Sequence, residues 1–177
     1  MAKPAKITDL FESRNLKVDR DAGVIRGVKI LGHVSANGRE YSKAAVTKAR
    51  GLYEGMRVNV DHPKKAGESR GLGDRFGRLV NVREQGDGLY GDLEYIRSHP
   101  LAEMTAEAAE RMPEQLGLSH NAEGRTVTRG GKVLVEEITR VSVEILGGVP
   151  DSVDIIITDI KRENWATGGK LWSEPRE

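Results

Sequence analysis

The apolar residues of this chain fall in short runs that glycine interrupts repeatedly. There are 21 glycines in 177 residues, and several stand in turn signals such as Asn37-Gly38 and Gly130-Gly131. Asn and Gly accept the positive φ angles of tight turns at little cost. The pattern therefore predicts many short strands joined by turns rather than a helical bundle.

Only two segments show the apolar spacing of an amphipathic helix. One is predicted from Ser42, as N-cap, to about Tyr53, and the other lies between Pro100 and Pro113. Strands are predicted over residues 15–19, 24–34, 56–61, 75–83, 89–96, 115–122, 133–146 and 153–160. Strands and helices do not alternate as in βαβ units. The fold class expected is therefore β-rich α+β, a mixed or antiparallel β-barrel of about seven strands with peripheral helices.

The chain length is that of one domain. We expect an N-terminal arm over residues 1–14, with one helical turn around Ile7 to Phe11. The main domain is expected over 15–160, and a polar tail with Trp165 and Trp172 over 161–177.

Composition narrows the function classes. The chain has no cysteine, which rules out thiol catalysis and disulfides. Its 28 Lys and Arg residues balance 27 Asp and Glu residues, and aromatics make up 5% of the chain. These numbers argue against nucleic acid as a partner. No signal peptide or membrane span is evident, so we expect a soluble, cytoplasmic protein without a membrane partner.

Two short segments carry the candidate chemistry. His62 stands at the end of a predicted strand in Val60-Asp61-His62-Pro63, and Ser119 lies in the strand Leu116-Gly-Leu-Ser-His120. A serine becomes a useful nucleophile when a base takes its proton, and histidine is the side chain suited to that role near neutral pH. On local grounds alone, an ordinary strand serine and a loop histidine without a role explain these residues better than a catalytic pair does.

A third group is needed to orient the imidazole. Strict alternation along residues 133–145 places Glu137 on the apolar face of its strand, whereas Glu136 and Glu144 share the other face. A carboxylate on a buried face needs a partner, and either a histidine or a structural arginine can supply one. Glu137 is therefore either the group that orients the imidazole or one partner of a structural ion pair.

A metal site would have to use Asp61, His62, His99 and His120, whose spacing matches no metal-binding motif. The glycines of residues 71–77 lack the Lys-Ser/Thr pair of a phosphate-binding loop. We therefore expect no cofactor and no metal.

Taken together, the motifs resemble a known family. They are Val24-Ile-Arg-Gly-Val-Lys-Ile-Leu-Gly32, Asn37-Gly-Arg-Glu-Tyr41, Val60-Asp-His-Pro63, Phe76-Gly-Arg-Leu79, Gly88-Leu-Tyr-Gly-Asp-Leu93, Leu116-Gly-Leu-Ser-His120, Val135-Glu-Glu-Ile138 and Val141-Ser-Val143. Their order and spacing resemble the prohead (capsid maturation) proteases of tailed bacteriophages, a family similar in fold to the herpesvirus assemblin proteases. The resemblance covers about residues 23–158.

The resemblance implies a serine endopeptidase with Ser119 as nucleophile, His62 as general base and an acidic third member, best matched by Glu137, with Glu136 as the second choice. Its expected partners are the scaffolding protein and the scaffolding segment of the major capsid protein, as peptide substrates, together with the protease itself. It is expected to act inside the assembling prohead in the host cytoplasm, and a homo-oligomer is possible. The alternatives are a non-enzymatic capsid-assembly or scaffold-binding protein and a metal-dependent hydrolase.

Overall fold

The computed structural model describes residues 5–62, 70–147, 166–167 and 170–171. The strands are β1 (Ala5–Glu12), β2 (Lys17–Asp19), β3 (Val24–Gly32), β4 (Glu40–Tyr41), β5 (Arg57–Val60), β6 (Arg75–Gln85), β7 (Gly88–Tyr95), β8 (Leu116–Arg129), β9 (Lys132–Gly147), β10 (Ala166–Thr167) and β11 (Lys170–Leu171). The helices are α1 (Lys43–Tyr53) and α2 (Ala102–Arg111), and short 3-10 turns span Leu72–Asp74 and Pro113–Gln115. The strand predicted over 153–160 lies outside the described residues.

Nine strands form one mixed sheet. Its order is β1-β8-β9-β5-β6-β7-β3-β2, with the short β4 parallel to the start of β9. Most neighbours are antiparallel, but β5 runs parallel to the C-terminal part of β9. In the described residues β1 and β2 are the two edge strands and do not pair with each other, so the sheet is open. The β-rich α+β class is confirmed, whereas the closed barrel is not shown.

Both predicted helices form where their spacing placed them. The Ser42 side chain caps α1 by accepting from the Ala45 backbone N–H at 3.1 Å. The buried face of α1 carries Ala45, Val46, Ala49 and Tyr53, which join the core formed by one face of the sheet. We call this the inner face, and the opposite face of β1, β8 and β9 the outer face.

The longest pairing is the β8–β9 hairpin, which turns at Gly130-Gly131. Its ladder is shifted twice, between Glu123 and Gly124 and between Arg125 and Thr126. Each shift leaves one extra residue on β9, so these are β-bulges in that strand. They change which residues of β9 reach the core.

The N-terminal segment differs from the expected helical turn. Residues 5–12 are strand β1, which pairs antiparallel with β8 along its whole length. Ile7 and Phe11 point into the core, with Asp9 between them on the same face. The two apolar residues are four apart, which fits one turn of helix as well as one face of a strand, and the β8 edge decides in favour of the strand.

Candidate active site

Ser119 lies on β8, between two residues that point into the core. Leu118 and His120 are buried on the inner face, so alternation directs Ser119 to the outer face. The residue is nevertheless only 1% exposed, and its hydroxyl donates to the Asp9 carbonyl at 3.4 Å. Its ladder partners are Leu10 on β1 and Glu144 on β9.

His62 reaches the same face from the end of β5. Because β5 runs parallel to β9, the chain leaves the sheet beside Ile145, whose carbonyl accepts from the Asp61 N–H at 3.1 Å. Asp61 has φ +52°, a left-handed conformation that Asp adopts more readily than most residues. This turn is followed by an imidazole that lies over the outer face, with Nδ1 3.2 Å from the Asn121 amide nitrogen.

Glu144 is the carboxylate next to His62. Its Oε2 is 3.6 Å from His62 Nδ1, and the residue is only 3% exposed. The carboxylate accepts from the Asn121 amide at 3.0 Å, lies 3.4 Å from the Ser142 hydroxyl and 3.9 Å from the Arg70 guanidinium. These contacts provide the buried acid with the partners that its charge requires.

The opposite nitrogen of His62 has no hydrogen-bond partner in the part of the chain that the structure describes. Among the described residues, Nε2 is the one buried side-chain nitrogen or oxygen without a hydrogen bond. A carboxylate on the Nδ1 side and a free Nε2 are the two ends of an imidazole that relays a proton. The cluster of Ser119, His62 and Glu144 thus has the components of a serine-nucleophile site.

Charge and burial shift the pKa values of His62 and Glu144 in opposite directions. The pKa of His62 is lowered from its usual value, first by burial and then by the positive charge of Arg70, while Asp61 acts in the other direction. Burial raises the pKa of Glu144, against the effect of Arg70 and its hydrogen bonds. The imidazole is therefore favoured in its neutral, proton-accepting form near pH 7.

Glu137 does not lie on the buried face that strict alternation predicts. Because of the bulges, Val135, Ile138 and Val141 are the buried residues of this stretch, at intervals of three. Glu137 is half-buried and pairs in the ladder with Arg125. It lies seven residues before Glu144, roughly 20 Å along an extended strand, so it cannot contact His62.

Glu136, the second choice, is engaged elsewhere. Its carboxylate lies 3.6 Å from both Arg125 and Arg129, in surface ion pairs at the far end of the hairpin. Gly124 faces the Glu137 carbonyl so closely that a Cβ would clash with it, which accommodates the bulge. The structure thus brings Ser119 and His62 to one face and separates them from Glu136 and Glu137.

Behind Ser119, the inner face holds a buried polar network. His120 Nε2 lies 3.0 Å from the Tyr41 hydroxyl and Nδ1 2.5 Å from the Tyr53 hydroxyl. Tyr41 in turn donates to Asp9, whose other oxygen accepts from Arg39 at 2.8 Å. Burial lowers the pKa of His120 to about 4, so it is a neutral, fully bonded core histidine.

No group of three or more His, Cys, Asp or Glu side chains converges as a metal-binding set within the described residues. Neither described helix is long and apolar enough to cross a membrane.

Comparison with known proteins gives two findings. The fold is similar to that of the bacteriophage T4 capsid assembly protease, with a TM-score of 0.62 and 16% sequence identity. The match covers 83% of this chain and 100% of that chain, so this chain shares the fold of a phage capsid assembly protease. Separately, residues 123–174 match the tautomerase enzyme family, a partial match that includes Glu144 but neither Ser119 nor His62.

Proposed function

We propose that this protein is a serine endopeptidase of phage prohead maturation. The observation that carries the proposal is the arrangement on the outer face. Ser119 and Glu144 are ladder partners, His62 Nδ1 lies near the Glu144 carboxylate, and His62 Nε2 is buried without a hydrogen-bond partner among the described residues. The T4 protease fold supports it independently, because that similarity does not depend on these side chains.

In the proposed mechanism, the Ser119 hydroxyl leaves the Asp9 carbonyl and turns to His62 Nε2. Its oxygen attacks the peptide carbonyl while Nε2 takes the proton, and the same proton is then given to the leaving amine. Glu144 replaces Glu137 as the proposed third member, since it accepts from Nδ1–H and stabilises the imidazolium. The separation of 3.6 Å shortens to hydrogen-bond length in the reacting complex, as is common in catalytic sites.

The proposed substrates are the scaffolding protein and the scaffolding segment of the capsid protein, together with the protease itself. Cleavage inside the assembling prohead, in the host cytoplasm, is part of the same proposal. The supporting observation is the T4 structure, whose protein is a capsid assembly protease. The relation to herpesvirus assemblins stays a prediction.

A serine-directed fluorophosphonate tests the chemistry directly. We expect covalent labelling at Ser119, loss of labelling in Ser119→Ala, and full labelling in Ser98→Ala, a control at an exposed serine. Ser119→Ala is also expected to reduce the rate of scaffold or capsid substrate cleavage by several orders of magnitude. Unchanged processing by the folded Ser119→Ala variant would contradict the proposal.

The same experiment separates the alternatives. A scaffold-binding protein without activity binds its partner but shows neither labelling nor cleavage. A metal-dependent hydrolase loses cleavage on chelation and is insensitive to the fluorophosphonate. Cleavage that chelators leave intact and fluorophosphonate abolishes supports the serine mechanism.

A further inference from the structure

Asn121 lies at the centre of the outer-face cluster, and its amide orientation is fixed by two neighbours. Its oxygen accepts from the Thr8 hydroxyl at 2.7 Å, and its nitrogen donates to the Glu144 carboxylate at 3.0 Å. Rotating the amide by half a turn would place its oxygen against that carboxylate. The nitrogen is therefore the atom that faces both Glu144 and His62.

This orientation decides which nitrogen of His62 carries the proton. The Asn121 amide nitrogen is 3.2 Å from Nδ1, and an amide nitrogen can only donate. Nδ1 must therefore be the acceptor, and a neutral imidazole then carries its hydrogen on Nε2. Glu144, at 3.6 Å, lies beyond hydrogen-bond length from Nδ1 in this arrangement.

A ring protonated on Nε2 cannot take the proton of Ser119. The competent form needs the proton on Nδ1, directed at Glu144, and a free lone pair on Nε2. The two forms interconvert when Nδ1 takes a proton from water and Nε2 releases one to water, so the ring's charge is restored. Among the described residues, the charged groups that face the ring are Glu144, Arg70 and Asp61.

We propose that Asn121, anchored by Thr8, is a positioning residue that holds His62 in its resting tautomer. Transfer of Nδ1 from the Asn121 amide to Glu144 is then a step of activation that precedes attack by Ser119. The tautomer itself follows from the contacts of Asn121, whereas its role in activation rests on the proposed protease function.

The tautomer is measured by ¹⁵N NMR of histidine-labelled protein above pH 7, with the His62 signals assigned by their loss in His62→Gln. We expect Nδ1 unprotonated and Nε2 protonated in the free wild-type protein. A wild-type spectrum with the proton on Nδ1 overturns the proposal. This measurement needs no variant at Asn121 and no substrate.

Thr8 offers a matched pair of variants. Thr8→Val removes the hydroxyl that holds the Asn121 amide oxygen, so the side chain is held less firmly and its hydrogen bond to Nδ1 weakens. Thr8→Ser keeps the hydroxyl. We expect Thr8→Val to move the tautomer ratio toward Nδ1–H by about fivefold, equivalent to the ~1 kcal/mol of one neutral hydrogen bond, and Thr8→Ser to leave it unchanged. Equal ratios in both variants contradict the anchoring role.

Fluorophosphonate labelling, followed on the same samples, separates the two proposals. If Asn121 holds the resting tautomer, labelling of Ser119 is faster in Thr8→Val than in Thr8→Ser by a similar factor. The expected tautomer without labelling of Ser119 refutes the protease function and leaves the Asn121 contact intact. If Ser119 is labelled and the proton of His62 is already on Nδ1 in the free wild-type protein, the proposed role of Asn121 is refuted and the protease function is retained.

Discussion

Exchanging Glu144 for glutamine is the sharpest test of the site, because it changes the charge next to His62 and keeps the shape. The carboxylate oxygen lies 3.6 Å from Nδ1, where a unit charge stabilises an imidazolium by about 4–5 kcal/mol at an effective dielectric constant of ~20. Arg70, 3.9 Å from the other oxygen, offsets part of this attraction. A remaining loss of roughly 3–4 kcal/mol corresponds to about 10²–10³ in rate.

A second effect acts in the same direction. The glutamine amide can present a hydrogen to Nδ1, which favours the tautomer that cannot accept the proton of Ser119. We therefore expect Glu144→Gln to lower kcat by about 10²–10⁴ with a small change in KM, because Glu144 is proposed to act on the imidazole rather than on the substrate.

The assay is cleavage of purified scaffolding protein, with folding checked by thermal unfolding. Glu136→Gln and Glu137→Gln are the controls, since both residues lie on the distant part of the hairpin. Both are expected to remain within about twofold of wild type, as is usual for changes at surface positions. Near wild-type cleavage by Glu144→Gln, together with a large loss in Glu137→Gln, would refute the assignment of the third member.

Three further predictions concern charge and burial. Arg70→Met removes a positive charge that lowers the His62 pKa, so the acidic limb of the pH profile of kcat/KM should move to higher pH. Arg70→Lys keeps the charge and should leave the limb in place. An unchanged limb in Arg70→Met contradicts the electrostatic role. The pKa of His120 is lowered to about 4, so its imidazole is neutral in the folded protein, whereas the unfolded chain binds a proton below pH ~6.5. The free energy of unfolding should therefore fall by about 3 kcal/mol between pH ~6.5 and ~4 in denaturant titrations. A free energy that stays constant over this range argues against the buried network. Tyr41→Phe leaves Asp9 and His120 each short of a buried partner and should reduce the unfolding free energy by about 1–3 kcal/mol in a denaturant titration, whereas a change within a few tenths contradicts that bonding.

Local sequence patterns determined the two helices, most strands and the two residues proposed as nucleophile and base. Apolar spacing and the Ser42 cap act within a few residues, so α1 could be read from the sequence. His62 and Ser119 could be singled out because each lies in a short strand motif. Their approach in space could not be read, because it depends on β5 running parallel to β9, a long-range pairing.

The choice of Glu144 as the proposed third member depended on strand register, which only the tertiary structure decided. A hairpin turning at Gly130-Gly131 without bulges would pair Ser119 with Ser142. Two bulges advance β9 by two residues, bring Glu144 opposite Ser119 and turn Glu137 away from the core. Strict alternation fails here because a bulge exchanges the faces of the residues that follow it. The sequence determined which side chains were available for the chemistry, and the bulged ladder decided which carboxylate stands beside the histidine.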